Sequence, residues 1–162
     1  AAGVDSLKIE GRAKSAYYAA MTTAAYRHAV DAAVKGVPLD PVWRAEVDKV
    51  SHRHYSTGFW FGQPGQYTDS ARYVRDWQVL AIVAACDGLG NARLSLRNKF
   101  AVGDEIEVVG PGVPAFAMTA PVMRDLDGFE LTEPRRPQME FRMKLPRAVP
   151  PLSIVRACRP SS

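Results

Sequence analysis

The chain has 162 residues, 47% of them hydrophobic, with 21 Lys and Arg against 17 Asp and Glu and a formal net charge of +4. That length fits one medium domain or two small ones, and no apolar run is long enough to cross a bilayer. Two distant cysteines, Cys86 and Cys158, neither staple a small secreted fold nor mark one, so a reducing cytoplasm is the expected setting.

The first element is "SLKIE", Ser6–Glu10. Its alternation predicts a short strand with Leu7 and Ile9 on one face and Lys8 and Glu10 on the other. Gly11 breaks it. An alanine-rich helical pattern runs from Arg12 to Lys35, with Tyr17, Met21, Ala24, Ala25, His28 and Ala32 at spacings of three and four. Gly36 stands where a helix C-terminus favours it, and Asp40 caps a second helix that opens on Pro41 and ends near Val50.

After Ser51 the pattern changes. "HRHYSTGFWFGQPGQYTDS" is rich in aromatics, glycine and turn formers and reads as a connector. From Arg72 onward short strands follow. Val79–Cys86 is apolar on both faces, as in a central strand. "ARLSLRN" places Ala92, Leu94 and Leu96 inward and Arg93, Ser95 and Arg97 outward; "DEIEVV" and "MEFRMK" alternate in the same way. Five to seven strands with glycine-rich turns predict a small closed antiparallel β-barrel.

A lone strand with two helices cannot bury a parallel edge. The front third therefore reads as the last strand–helix unit of a larger β/α-barrel-like domain, and the chain as an α+β, C-terminal fragment of a longer protein. The expected divisions are 1–58 for the end of the catalytic β/α domain, 59–71 for the connector and 72–162 for the β-barrel accessory domain.

In a β/α barrel, functional side chains gather at the C-terminal ends of the strands. Lys8, Glu10, Arg12 and Lys14 are therefore candidate catalytic residues, able to bind an anion beside a helix N-terminus or to orient a general base. The same spacing equally fits a Lys8–Glu10 ion pair with surface cations. At the other end, residues 133–162 hold seven basic residues and two acidic ones, netting +5. Arg135, Arg136, Arg142, Lys144 and Arg147 are candidate RNA-binding residues, with Arg156 and Arg159 adding to the surplus; a merely solvated strand face has the same signature.

The remaining candidates are weaker. Cys86 reads as a buried thiol within an apolar strand, and Cys158 as an exposed one without a basic partner. His52 and His54 form an H-x-H pair with no third ligand at a recognisable spacing, so no metal site is assigned. His28 reads as a core or interface histidine. Tyr17, Tyr18, Trp43, Phe59, Trp60 and Phe61 suit base stacking, but read more simply as packing against a neighbouring domain.

Three stretches in order, "SLKIEGRAKSAYYAAMTTAAYRHAVDA", "VSHRHYSTGFWFG" and "RNKFAVGDEIEVVGP", resemble signatures of the collagenase-like peptidase family U32. The resemblance implies an upstream β/α-barrel-like catalytic domain and a C-terminal β-barrel similar to the second domain of translation GTPases, with Asn98, Lys99, Phe100, Gly103 and Asp104 forming its tight turn. Some members of that family are described as collagen-degrading proteases. The branch that looks most similar uses prephenate to hydroxylate the wobble uridine of transfer RNA at position 5, with an iron–sulfur cluster on four cysteines of the catalytic domain. The resemblance thus implies transfer RNA and an upstream catalytic domain as partners. The cluster and prephenate would belong to the parent protein, with no cofactor in this fragment. The alternative is a peptidase whose barrel docks the substrate. A third reading makes the barrel a structural module with no activity.

Overall fold

The computed structural model describes residues 3–53, 55–63 and 73–160. They fall into two compact units, Ala1–Asp76 with Pro160–Ser162, and Trp77–Arg159.

In the first unit, Ser15 accepts a hydrogen bond from the Tyr18 amide and caps helix α1, Ala16–Lys35. The helix starts four residues later than its alanine pattern suggests, because this cap and the turn closed by Lys14 N–H to the Gly11 carbonyl occupy the intervening residues. Gly36 closes it in the left-handed region at φ 66°. Asp40 accepts from the Val42 amide and Pro41 opens α2, Pro41–Glu46, which tightens into a single 3-10 turn at Val47–Lys49. Met21 and Ala25 of α1 and Trp43 of α2 are buried, and His28 stacks on Trp43 with ring centroids 3.7 Å apart.

The expected strand at Ser6–Glu10 is not formed. This stretch pairs with none of the described residues, and Leu7 and Ile9 stay exposed at 56% and 38%. Alternation makes a strand only where a neighbour satisfies its backbone groups, and the helices of this unit offer no edge.

The second unit is one antiparallel sheet of eight strands: β1 Trp77–Cys86, β2 Asn91–Leu96, β3 Glu105–Gly110, β4 Val113–Thr119, β5 Met123–Arg124, β6 Glu130–Leu131, β7 Glu140–Lys144 and β8 Ile154–Cys158. Their order is β4-β3-β8-β1-β2-β7-β5-β6. No ladder among the described residues joins β4 to β6, so a sheet with two ends stands in place of the expected closed barrel. One apolar core nonetheless draws on both ends of that order, uniting Ile106 and Val108 of β3 with Met123 of β5 and Phe141 and Met143 of β7. The alternation read from the sequence holds for β2 and β7: Ala92, Leu94, Leu96, Phe141 and Met143 are buried, and Arg93, Arg142 and Lys144 are exposed.

The turn after β2 is pinned at several points. The Asn98 side-chain amide donates to the Val79 carbonyl at 2.7 Å, and the Asp104 carboxylate accepts from the Ala101 amide at 3.1 Å. Gly103 takes φ 93°, and Phe100 is buried against Phe141 with centroids 5.9 Å apart.

The β1–β2 hairpin turns on Gly90, at φ 86°, where an added Cβ would sit 2.4 Å from the Leu145 carbonyl oxygen. Gly90→Ala is therefore expected to lower stability by about 1–3 kcal/mol from backbone conformation alone, with the carbonyl clash adding to it. A urea denaturation midpoint unchanged from the parent would refute this account of the turn.

Candidate nucleic-acid interface

The outward face of β2, β7 and β5 carries a row of arginines set by strand register. Arg93 of β2 lies opposite Arg142 of β7, and Arg142 lies opposite Arg124 of β5. Lys144, two residues along β7 on the same face, lies opposite Asn91. These side chains line an open cavity of about 380 Å³. Like charges directly opposite one another on a sheet repel, so this row is unfavourable to the sheet by itself.

The outer arginines are tethered. Arg93 stands 3.6 Å from the Glu140 carboxylate, and Arg124 pairs with Glu130 at 2.5 Å and donates to the Gly128 carbonyl at 3.1 Å. The Arg142 side chain, between them, has no hydrogen bond or ion pair among the described residues. The Lys144 ammonium donates to the Leu89 carbonyl at 2.6 Å and the Asn91 side-chain oxygen at 3.3 Å. Asn91 is itself fixed by Asp87, whose carboxylate accepts from its amide side chain at 2.7 Å and its backbone N–H at 2.8 Å. The Asn91 side-chain hydrogen bond, foremost among several contacts, holds the Asp87 carboxyl below its ordinary value.

The other candidate RNA-binding residues are spread elsewhere on this unit. Arg135 sits 3.8 Å from Glu133, and with Arg136 lines a separate cavity that also contains Glu130 and Met139. Arg147 lies over the Phe116 ring at 4.2 Å and donates to the Pro114 carbonyl. Arg159 is tied to Asp104 at 3.0 Å and to the Lys99 carbonyl. Arg156 is not on the surface at all. Its side chain is fully buried, 2.8 Å from the Glu107 carboxylate and 4.9 Å from the Trp77 ring centroid. The terminal surplus of charge is therefore not one face.

Two members of the row, Arg93 and Arg124, were not among the sequence candidates. Outward alternation marks Arg93 but gives it no partner, and Arg124 lies in a two-residue strand too short to show a period.

The four candidate catalytic residues are placed but not gathered into one constellation. Lys8 and Glu10 form a loose pair at 3.9 Å with side chains 86% and 70% exposed. Glu10 also accepts from the Arg12 backbone amide at 3.0 Å. Lys14 turns away, donating to the Ser51 carbonyl at 3.0 Å and standing 3.8 Å from the Tyr73 ring centroid. Arg53 and Arg75 approach the same ring at 5.0 and 5.3 Å.

His52 is held by the Val50 carbonyl at Nδ1 and stacks on Tyr55, while its H-x-H partner His54 lies outside the described residues. Among the aromatic candidates, Trp43 is buried and Tyr17 donates to the Lys49 carbonyl, as packing residues do. Phe59, Trp60 and Phe61 are 79%, 75% and 82% exposed, so within the described residues they are not packed. Cys86 is the last residue of β1 and Cys158 lies opposite Trp77, its first. At roughly 3.3 Å per residue, the ten-residue strand holds these sulfurs about 30 Å apart, too far to share a metal or cluster. Among the described residues, no helix is long and apolar enough to cross a membrane.

Residues 1–70 match the model for peptidase family U32, and residues 75–156 match its C-terminal domain. The chain is 32% identical to a tRNA hydroxylation protein of Bacillus subtilis strain 168 over 95% of its own length and 38% of that protein's. It is 37% identical to a tRNA hydroxylation protein of Escherichia coli strain K12 over 67% of this chain and 25% of that one. It thus spans well under half of either relative. A solved C-terminal domain of a U32 peptidase from Geobacillus thermoleovorans is 31% identical and covers 49% of this chain and 99% of that domain, at a TM-score of 0.47.

Proposed function

This chain belongs to peptidase family U32, and on that premise we propose that it is the C-terminal portion of a protein supporting prephenate-dependent 5-hydroxylation of the wobble uridine in transfer RNA. The observation that carries this reading is the likeness to a tRNA hydroxylation protein across 95% of the chain. In this reading residues 1–58 complete a β/α-barrel-like catalytic domain, 59–71 connect it, and 72–162 form an accessory domain that holds transfer RNA.

The residues present do not fit an iron–sulfur cluster, because the two cysteines lie at opposite ends of β1. In this reading the cluster and the prephenate site belong to other parts of the parent protein, and the chain's own contribution is to grip and orient the RNA and to lend residues to the catalytic mouth.

The test is nucleoside analysis of transfer RNA from cells lacking the parent gene. The 5-hydroxyuridine-derived nucleosides should disappear, and return with the gene. Their persistence, together with gelatin cleavage by the purified parent, would favour the family's peptidase reading.

Lys8, Glu10, Arg12 and Lys14 belong to the catalytic mouth in the same proposal. Glu10 makes only solvent-exposed contacts, which contribute little to stability. Glu10→Gln in the parent should accordingly leave thermal unfolding unchanged while abolishing wobble-uridine hydroxylation. Parallel loss of folding and activity would return Glu10 to a structural role.

A further inference from the structure

We propose that the register-matched row Arg93–Arg142–Arg124, with Lys144 and Asn91 beside it, is a seat for two successive phosphodiesters of one RNA strand. The inference rests on the transfer-RNA reading for the identity of the polymer; the phosphate chemistry comes from the site itself.

Arg142 is the centre of the seat. Its neighbours' charges are partly answered by Glu140 and Glu130, but its own is not answered by any described residue. An anion over Arg142 would relieve the repulsion along the row. A guanidinium presents a planar fork of donors that suits a phosphate's paired oxygens, and flanking arginines allow the anion to be shared.

The second phosphate lies along β7. Residues two apart on a strand project to the same side, about 7 Å apart. That is comparable with the separation of neighbouring phosphates on one nucleic-acid strand. Lys144 marks this second position. Its ammonium carries three donors, and the two contacts with Leu89 and Asn91 leave one for an incoming oxygen. Val122, half-exposed at the rim of the same cavity, offers an apolar surface for a ribose.

Salt bridges at the outer positions also give the row its direction. Glu130 of β6 draws Arg124 outward, and Glu140, two residues before Arg142 on β7, draws Arg93 towards that end of the strand, leaving Arg142 and Lys144 with no carboxylate partner among the described residues. A protein partner with acidic side chains would meet the same charge. A phosphodiester backbone additionally matches the spacing of Arg142 and Lys144 along β7, and that favours RNA.

The test uses the full chain and a fluorescently labelled, unmodified transfer RNA transcript, with affinity read by anisotropy at several salt concentrations. Arg142→Glu should weaken binding about tenfold or more at low salt. Arg142→Gln should lower the slope of log affinity against log salt by about one, the contribution of one phosphate contact. Circular dichroism should show both variants folded, since Arg142 is exposed and carries no internal partner. Arg135→Gln with Arg136→Gln removes two charges from the separate cavity and should change affinity less than Arg142→Gln alone. An equal or greater loss from that pair would overturn the assignment, as would unchanged binding by Arg142→Glu. Vesicles of phosphatidylglycerol provide the last arm, and binding to them but not to the transcript would also overturn it.

Failure here is separable from failure of the functional reading. Hydroxylated nucleosides lost on gene deletion, with RNA binding indifferent to Arg142, would remove the seat and keep the function. The opposite pair of results would keep an RNA-binding seat on a protein with another activity.

Discussion

Replacing Glu107 with Gln should cost the strand domain about 3 kcal/mol, the low end of what is expected when one partner of a buried ion pair is removed. Arg156 has no exposed side-chain surface, and its guanidinium reaches Glu107 through two nitrogens, at 2.8 and 3.2 Å. Strand register enforces the pairing, since Glu107 of β3 is directly opposite Arg156 of β8. Removing the carboxylate charge takes away Glu107's share of what balances a guanidinium buried from water. The low end applies because the Glu107 side chain keeps 21% of its surface in solvent. Urea denaturation of Glu107→Gln, Arg156→Met and a Glu107→Leu/Arg156→Met double variant would check this. The double variant should recover most of the loss, because an apolar pair of similar volume has no charge to desolvate. A single Glu107→Gln cost below about 1 kcal/mol would show the pair to be incidental.

Phe100→Ala should be comparably damaging, at about 3–5 kcal/mol. The ring is 2% exposed and meets Phe141 at an interplanar angle of 59°, within the core shared by strands at both ends of the sheet order. Little of the cavity can collapse, because the turn carrying Phe100 is pinned at Asn98, Ala101 and Gly103. Chemical denaturation should report this loss without a change in transfer RNA affinity at concentrations where the variant remains folded. Loss of affinity in a folded Phe100→Ala protein would instead give this motif a direct part in binding.

These two residues also mark how far the sequence could be read. "RNKFAVGDEIEVVGP" was legible as a motif, and within it Asp104 acts inside the turn on the Ala101 amide, whereas Asn98 reaches back to Val79 and the Gly103 amide on to Ala120. The helix signals were legible too: Asp40 with Pro41 and Gly36 act within one turn of chain, where sequence neighbours are also neighbours in space. Arg156 was not legible. In "SIVRAC" it resembles a surface cation near a proline-rich end, and only the insertion of β8 between β3 and β1 supplies Glu107 and Trp77 around it. The arginine row was hidden similarly. Arg93, Arg124 and Arg142 are separated by long stretches of chain, and their adjacency exists only in the register of three strands. Ser6–Glu10 shows the converse: a well-formed alternation with no pairing partner among the described residues, and hence no strand.

The place of β8 in the sheet also bears on how the domain comes to be folded. Of the eight strands it is the last in sequence, yet it sits between the β4-β3 pair and the five strands β1-β2-β7-β5-β6. Until residues 154–158 have left the ribosome, those two groups have no ladder between them, and β3 and β1 each present an open edge. The contacts that unite the sheet are therefore among its most distant in sequence, and they carry the entropic penalty of closing long loops. Nascent chains halted short of β8 would expose two apolar strands with unpaired backbone, the kind of edge that recruits other chains. The cell's exposure to that hazard is set by the interval between the emergence of β3 and that of Ile154–Cys158.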